Sequence, residues 1–92
     1  MTGFILPYNL GEMTSQVDPD ELTRVFASNV RARRLALGLT QAELAARLAK
    51  HKPYVSEIEN AKRTPWLPNL ALFAAALETT PAALLRQPKT TA

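Results

Sequence analysis

Helix start and stop signals follow one another at short intervals along this chain, and they leave room only for short helices. Asp18-Pro19-Asp20-Glu21 opens the series. A carboxylate before the first turn accepts from free backbone N–H groups, proline fits the first helical position, and Glu21 completes a capping-box-like pattern. Apolar residues then recur at i, i+4 through Leu22, Phe26 and Val30 to Arg34, and Gly38 ends the run. Thr40-Gln41-Ala42-Glu43 is a second capping box, with Leu44, Ala45 and Leu48 on one face of the short helix it opens. Lys50-His51-Lys52-Pro53 breaks and restarts the chain, because proline is tolerated only in a first turn. The third helix then turns Val55 and Ile58 inward and Lys52, Pro53, Ser56, Glu57 and Asn60 outward. Thr64-Pro65 marks a loop. A fourth helix covers about 67–78 with Leu70, Phe73, Ala74 and Leu77 as core, and Thr80-Pro81 caps a last short helix carrying Leu84 and Leu85.

No strand-like alternation and no repeat appears, so the fold class is all-α with five helices. Such short helices are marginal alone and need one another's packing. The boundaries expected are an N-terminal arm over 1–17, a domain over 18–86 and a tail over 87–92. The arm has no sustained period, yet it holds the apolar patch Phe4, Ile5, Leu6 and Tyr8, which can dock on the domain or on a protein partner.

Charge divides unevenly. Residues 1–20 carry Glu12, Asp18 and Asp20 and no base, whereas the remainder carries all 11 Lys and Arg against five acids, a net +6. A basic domain favours polyanions. With no cysteine and one histidine, neither a disulfide framework nor a Cys/His metal site is available, and no cofactor is expected. A catalytic constellation is also lacking: there is no glycine-rich phosphate loop and no His–acid pair at plausible spacing. The short apolar run at residues 4–6 has no basic start and is not a signal peptide, and no run approaches membrane-spanning length; a cytoplasmic protein is expected.

The stretch that carries function is Gly38-Leu39-Thr40-Gln41-Ala42-Glu43-Leu44-Ala45, followed by Tyr54-Val55-Ser56-Glu57-Ile58-Glu59-Asn60. Two short helices joined by a tight turn form a unit whose first helix braces across the DNA backbone while the second enters the major groove. With Leu67-Pro68-Asn69-Leu70 and the alanines leading to Leu77, the set resembles the Cro/phage-repressor, or XRE, family of helix-turn-helix transcriptional regulators over about Val30 to Leu85. The resemblance implies a lambda-repressor-like domain that binds double-stranded DNA, as a repressor and a homodimer reading two half-sites. It implies that Gln41 binds a phosphate, that Lys52, Pro53 and Glu57 contact bases, and that Asn60, Lys62 and Arg63 meet the sugar-phosphate backbone. Arg31 and Arg33 are further phosphate candidates. Arg34 and Glu59 match a family pair that forms an internal salt bridge. Chemically, a lysine can donate to guanine and a glutamate can accept from cytosine N4, while proline offers only apolar contact.

Several residues keep two readings. Tyr54 can edge the core or donate to a phosphate, Glu57 can read a base or be a solvated charge, and His51 is expected to cap its helix or stay solvated. Trp66 and Leu67 are expected as core under the fourth helix, with a dimer surface as the other reading; Arg24 and Arg47 are expected to be solvated. The family's glycines are replaced by Ala49, Ala61 and Glu78. Such residues either accept positive φ at about 1 kcal/mol or more each, or give turns of a different shape. A competing functional reading is a protein-interaction module on the same fold, an antitoxin or adaptor, that holds its partner through residues 4–8.

Overall fold

The computed structural model describes residues 18–87, which form five helices without a strand: α1 Pro19–Ala36, α2 Gln41–Arg47, α3 Lys52–Glu59, α4 Leu67–Ala76 and α5 Pro81–Leu85. The apolar patch at residues 4–8, the expected arm and the end of the tail lie outside the described residues. Among the described residues, no helix is long and apolar enough to cross a membrane.

Local chemistry accounts for most helix starts. The Asp18 carboxylate accepts from the Glu21 N–H at 3.0 Å, and the Thr80 hydroxyl accepts from the Ala83 N–H at 3.1 Å. At α2 both halves of the capping box are present: Glu43 N–H donates to Thr40 Oγ1 at 3.0 Å, and Thr40 N–H donates to Glu43 Oε1 at 2.8 Å. At α1 the reciprocal half is missing. Glu21 Oε2 instead accepts from Gln87 Nε2 at 2.9 Å, which ties the chain beyond α5 to the start of α1. His51 and Trp66 occupy the cap positions of α3 and α4 without a side-chain cap bond. In both helices the second position is proline, which removes one of the unsatisfied N–H groups.

The α2 cap carries a pH dependence. Hydrogen bonds from Thr40, its backbone N–H foremost, hold the Glu43 carboxyl below its ordinary value of 4.5. A lowered folded-state pKa means a contribution fully present above the unfolded value and lost as pH falls through the folded one. Urea melts below the ordinary carboxylate range should therefore show a shallower acid loss of stability for Glu43→Gln than for the unchanged protein. Identical acid limbs would remove this role.

All five helices contribute to one core. Phe26 and Val30 from α1 meet Leu44, Ala45 and Leu48 from α2, Val55 and Ile58 from α3, Phe73, Ala74 and Leu77 from α4, and Leu84 from α5. Phe26 and Phe73 pack edge to face at 5.3 Å between ring centroids, the geometry favoured by the ring quadrupoles. The expected α1 stripe is corrected at its start: Leu22 is half-exposed, and Val25 and Ala27 join the buried set. Trp66 and Leu67 overturn the core reading more clearly. They are 74% and 72% exposed, because the loop delivers α4 with its first turn outside the bundle.

Four successive helices end in the same way. After α1, the Leu39 N–H donates to the Arg34 carbonyl and the Gly38 N–H to that of Leu35; after α2, Lys50 and Ala49 reach Ala45 and Ala46; after α3, Lys62 and Ala61 reach Glu57 and Ile58; after α4, Thr79 and Glu78 reach Ala74 and Ala75. This is the paired 6→1 and 5→2 bonding that closes a helix through one left-handed residue. That residue is Gly38 once, at φ 73°, and otherwise Ala49 at 57°, Ala61 at 57° and Glu78 at 59°. Of the two outcomes open for the glycine replacements, the chain keeps the turn and carries the strain.

Candidate nucleic-acid interface

The turn between α2 and α3 sets up the site. Ala49 reverses the chain, and Pro53 helps to restart it as α3, whose buried side is Val55 and Ile58. Lys52 and Pro53 consequently stand exposed on the opening turn, with Ser56 and Glu57 half-buried behind them and Asn60 exposed at the far end. The Asn60 amide folds back onto its own helix, Nδ2 donating to the Ser56 carbonyl at 2.8 Å. Lys62 and Arg63 are exposed in the loop that follows, and Arg31 is exposed on α1.

Beneath this surface lies a charged network. Arg34 is buried, and its guanidinium grips Glu59 in a two-point contact, Nε to Oε2 at 2.6 Å and Nη2 to Oε1 at 3.0 Å. Nη1 donates to the Leu39 carbonyl at 2.8 Å. The hydrogen bond to Glu59 holds the arginine above its ordinary pKa, outweighing the opposite effect of burial. Gln41 Nε2 donates to the same carboxylate at 3.1 Å. The network thus joins α1, the loop after it, the start of α2 and the end of α3. It fixes the angle at which α3 is presented.

Tyr54 connects the surface to the core. Its ring stacks on Phe73 at 6.0 Å between centroids, and its hydroxyl accepts from Asn69 Nδ2 at 3.1 Å. The cations of Lys50 and Arg63 lie 5.1 and 5.4 Å from the ring centroid, within range of its quadrupole. Glu57 is not merely solvated: its Oε1 accepts from Arg63 Nε at 2.8 Å.

Two arginines need correction. Arg33 reaches the end of α4 rather than the outer surface, donating from Nε to the Leu77 carbonyl at 2.8 Å and from Nη2 to that of Glu78 at 3.0 Å. Arg47 is likewise engaged, with the Ala76 carbonyl at 2.8 Å and the Glu78 carboxylate at 3.3 Å. Helix α4 has no base in its own last turn, so its terminal carbonyls draw cations from α1 and α2. Asn29 was missed altogether; its amide donates to the Leu84 and Arg86 carbonyls and closes α5. Replacement of a family leucine by Arg33 was the available signal for the first of these.

A short brace helix, a tight turn and a second helix with its outer side uncovered define a helix-turn-helix protein of the lambda-repressor-like all-α type. The helix-turn-helix family model matches residues 30–84, and the chain belongs to that family, among the XRE-type DNA-binding transcriptional regulators. Solved structures similar to it include a hypothetical transcription factor, NHTF, from Neisseria, 30% identical, with a TM-score of 0.71 over 91% of this chain and 90% of that one. The restriction-modification controller protein C.AhdI from Aeromonas hydrophila is 31% identical, with a TM-score of 0.68 over 74% of this chain and 99% of its own. The clp gene regulator ClgR from Corynebacterium glutamicum is 28% identical, with a TM-score of 0.67 over 70% and 82%. Among curated proteins no sequence matches.

Proposed function

We propose that this regulator is a repressor that recognises a specific duplex by laying the outer side of α3 in the major groove, two copies of the chain reading two half-sites. The observation that supports this most is the exposed first turn of α3, where Lys52 and Pro53 stand clear of the bundle on a helix whose inclination is fixed from below by Arg34 and Glu59. Lys52 donates to guanine O6 or N7, and Pro53 gives apolar contact to a thymine methyl. Gln41 at the start of α2, Asn60 and Lys62 after the reading turn, and Arg31 on α1 face the phosphates. Tyr54 and Ser56 hold the reading helix to the domain and border the groove. The homodimer draws support from the apolar surface of α4 and the loop before it, where Trp66, Leu67 and Leu72 are exposed; aromatic side chains commonly anchor interfaces.

The test is selection of bound duplexes from a random pool, followed by anisotropy titrations of the selected site and a scrambled one. A palindromic consensus is expected, with centres about one helical turn apart. Lys52→Ala should weaken the selected duplex roughly tenfold and the scrambled duplex far less, whereas Lys62→Ala should weaken both alike. Equal losses on both duplexes for Lys52→Ala would remove its base-reading role, and no enrichment at all would remove sequence-specific binding.

A further inference from the structure

Of the two carboxylates on α3, Glu59 is consumed by Arg34, while Glu57 is left at the surface facing the cations of Lys50, Lys52, Lys62 and Arg63. It is not shared among them. The left-handed turn at Ala61 folds the chain back, the Lys62 N–H bonding to the Glu57 carbonyl at 2.9 Å. Arg63 is thereby delivered over the last turn of the same helix, where its Nε meets Glu57 Oε1 at 2.8 Å and its guanidinium lies 5.4 Å from the centre of the Tyr54 ring. Both side chains remain about half-exposed, at 52% and 44%.

We infer that Glu57 is a brake on sequence-independent DNA binding, holding Arg63 as an internally neutralised cation; this rests on the DNA-binding reading above. The physical reason is charge balance. Affinity gained from the backbone comes from neutralising phosphates and releasing condensed cations. An arginine that moves from Glu57 to a phosphate leaves the carboxylate behind, close to the DNA, so local net charge is unchanged and little is released. Arg63 then contributes almost nothing to general affinity while Glu57 is ionised. Binding is left to contacts that depend on the base pairs, and the ratio of specific to non-specific affinity rises. Glu57 acts here as a specificity-determining residue through Arg63, with no contact to a base.

The full chain and three variants, Glu57→Gln, Arg63→Ala and the double substitution, distinguish this from the alternatives in salt titrations on the selected and scrambled duplexes. Arg63→Ala alone should change either affinity by less than about twofold, because its charge is already spent. Glu57→Gln should tighten both duplexes roughly threefold and steepen the logarithmic salt slope by about one. The double variant should return to the affinity and slope of the unchanged protein. Thermal melts of each variant serve as the folding control, the pair being exposed. If Glu57→Gln weakens the selected duplex alone, Glu57 reads a base and the brake is overturned. It is equally overturned if Glu57→Gln tightens binding to the same extent in the Arg63→Ala background, since the effect would then be a simple field, or if Arg63→Ala alone costs a large factor on both duplexes. Failure of the unchanged protein to bind any duplex would overturn the DNA reading and the brake together.

Discussion

Glu59→Leu should unfold much of the protein at temperatures where the unchanged chain is folded, with a loss of about 3–5 kcal/mol in urea melts. The size follows from what remains. Arg34 keeps a charge that its buried position cannot hydrate, with only the Leu39 carbonyl still bonded to it. Gln41 also loses its acceptor. Arg34→Met should cost a similar amount for the converse reason, since Glu59, with only 3% of its side chain exposed, would be stranded as an anion. Against a total stability of about 5–15 kcal/mol for a domain, either loss is a large share. The informative comparison is the double variant Arg34→Met/Glu59→Leu. Replacing both members of a buried pair by apolar groups is often close to neutral, so most of the stability should return. DNA binding should not return in step, because the bidentate contact and the Gln41 bond are what orient α3 against α1 and α2. A loss below about 1 kcal/mol for each single variant would mean that water reaches the pair and that packing alone sets the helix angle.

The parts of this molecule that were readable in advance are those whose physics is local. A Thr-x-x-Glu box binds its own backbone whatever surrounds it, so the start of α2 followed from four residues. The inward sides of α2 and α3 followed from helical spacing, since Leu44, Val55 and Ile58 have only one apolar neighbourhood to join. The misreadings concern side chains whose partners are distant in sequence. Nothing near Arg33 or Arg47 announces that α4 ends without a base of its own and draws on both for its carbonyls. The exposure of Trp66 could not be read from an apolar stretch, because the all-apolar sequence of α4 has no polar side to fix which face turns outward. The Glu57–Arg63 contact depends on the left-handed conformation at Ala61, and that is a property of the turn which an alanine does not advertise.

Substituting glycine at Ala49, Ala61 and Glu78 together should stabilise the protein by roughly 2 kcal/mol and raise its Tm by about 10 °C. A left-handed residue with a Cβ is strained by about 1–2 kcal/mol, while glycine gives back about 0.4–1 kcal/mol through the greater freedom of its unfolded chain. Each site should therefore gain a little under 1 kcal/mol, and the three lie at the ends of different helices, so their effects should nearly add. Glu78 is the least favourable case, because its carboxylate also meets Arg47 at 3.3 Å. That pair is largely exposed and contributes little, and the Arg33 and Arg47 bonds to backbone carbonyls survive the change. The turn after α1 supplies an internal control: Gly38 already has φ 73° with open space where a Cβ would sit, so Gly38→Ala should cost about what Ala49→Gly gains. Differential scanning calorimetry of the single and triple variants measures both. If the glycine variants melt at or below the unchanged protein, then the strain at these turns is smaller than the entropy glycine adds, and the left-handed alanines are no reservoir of lost stability.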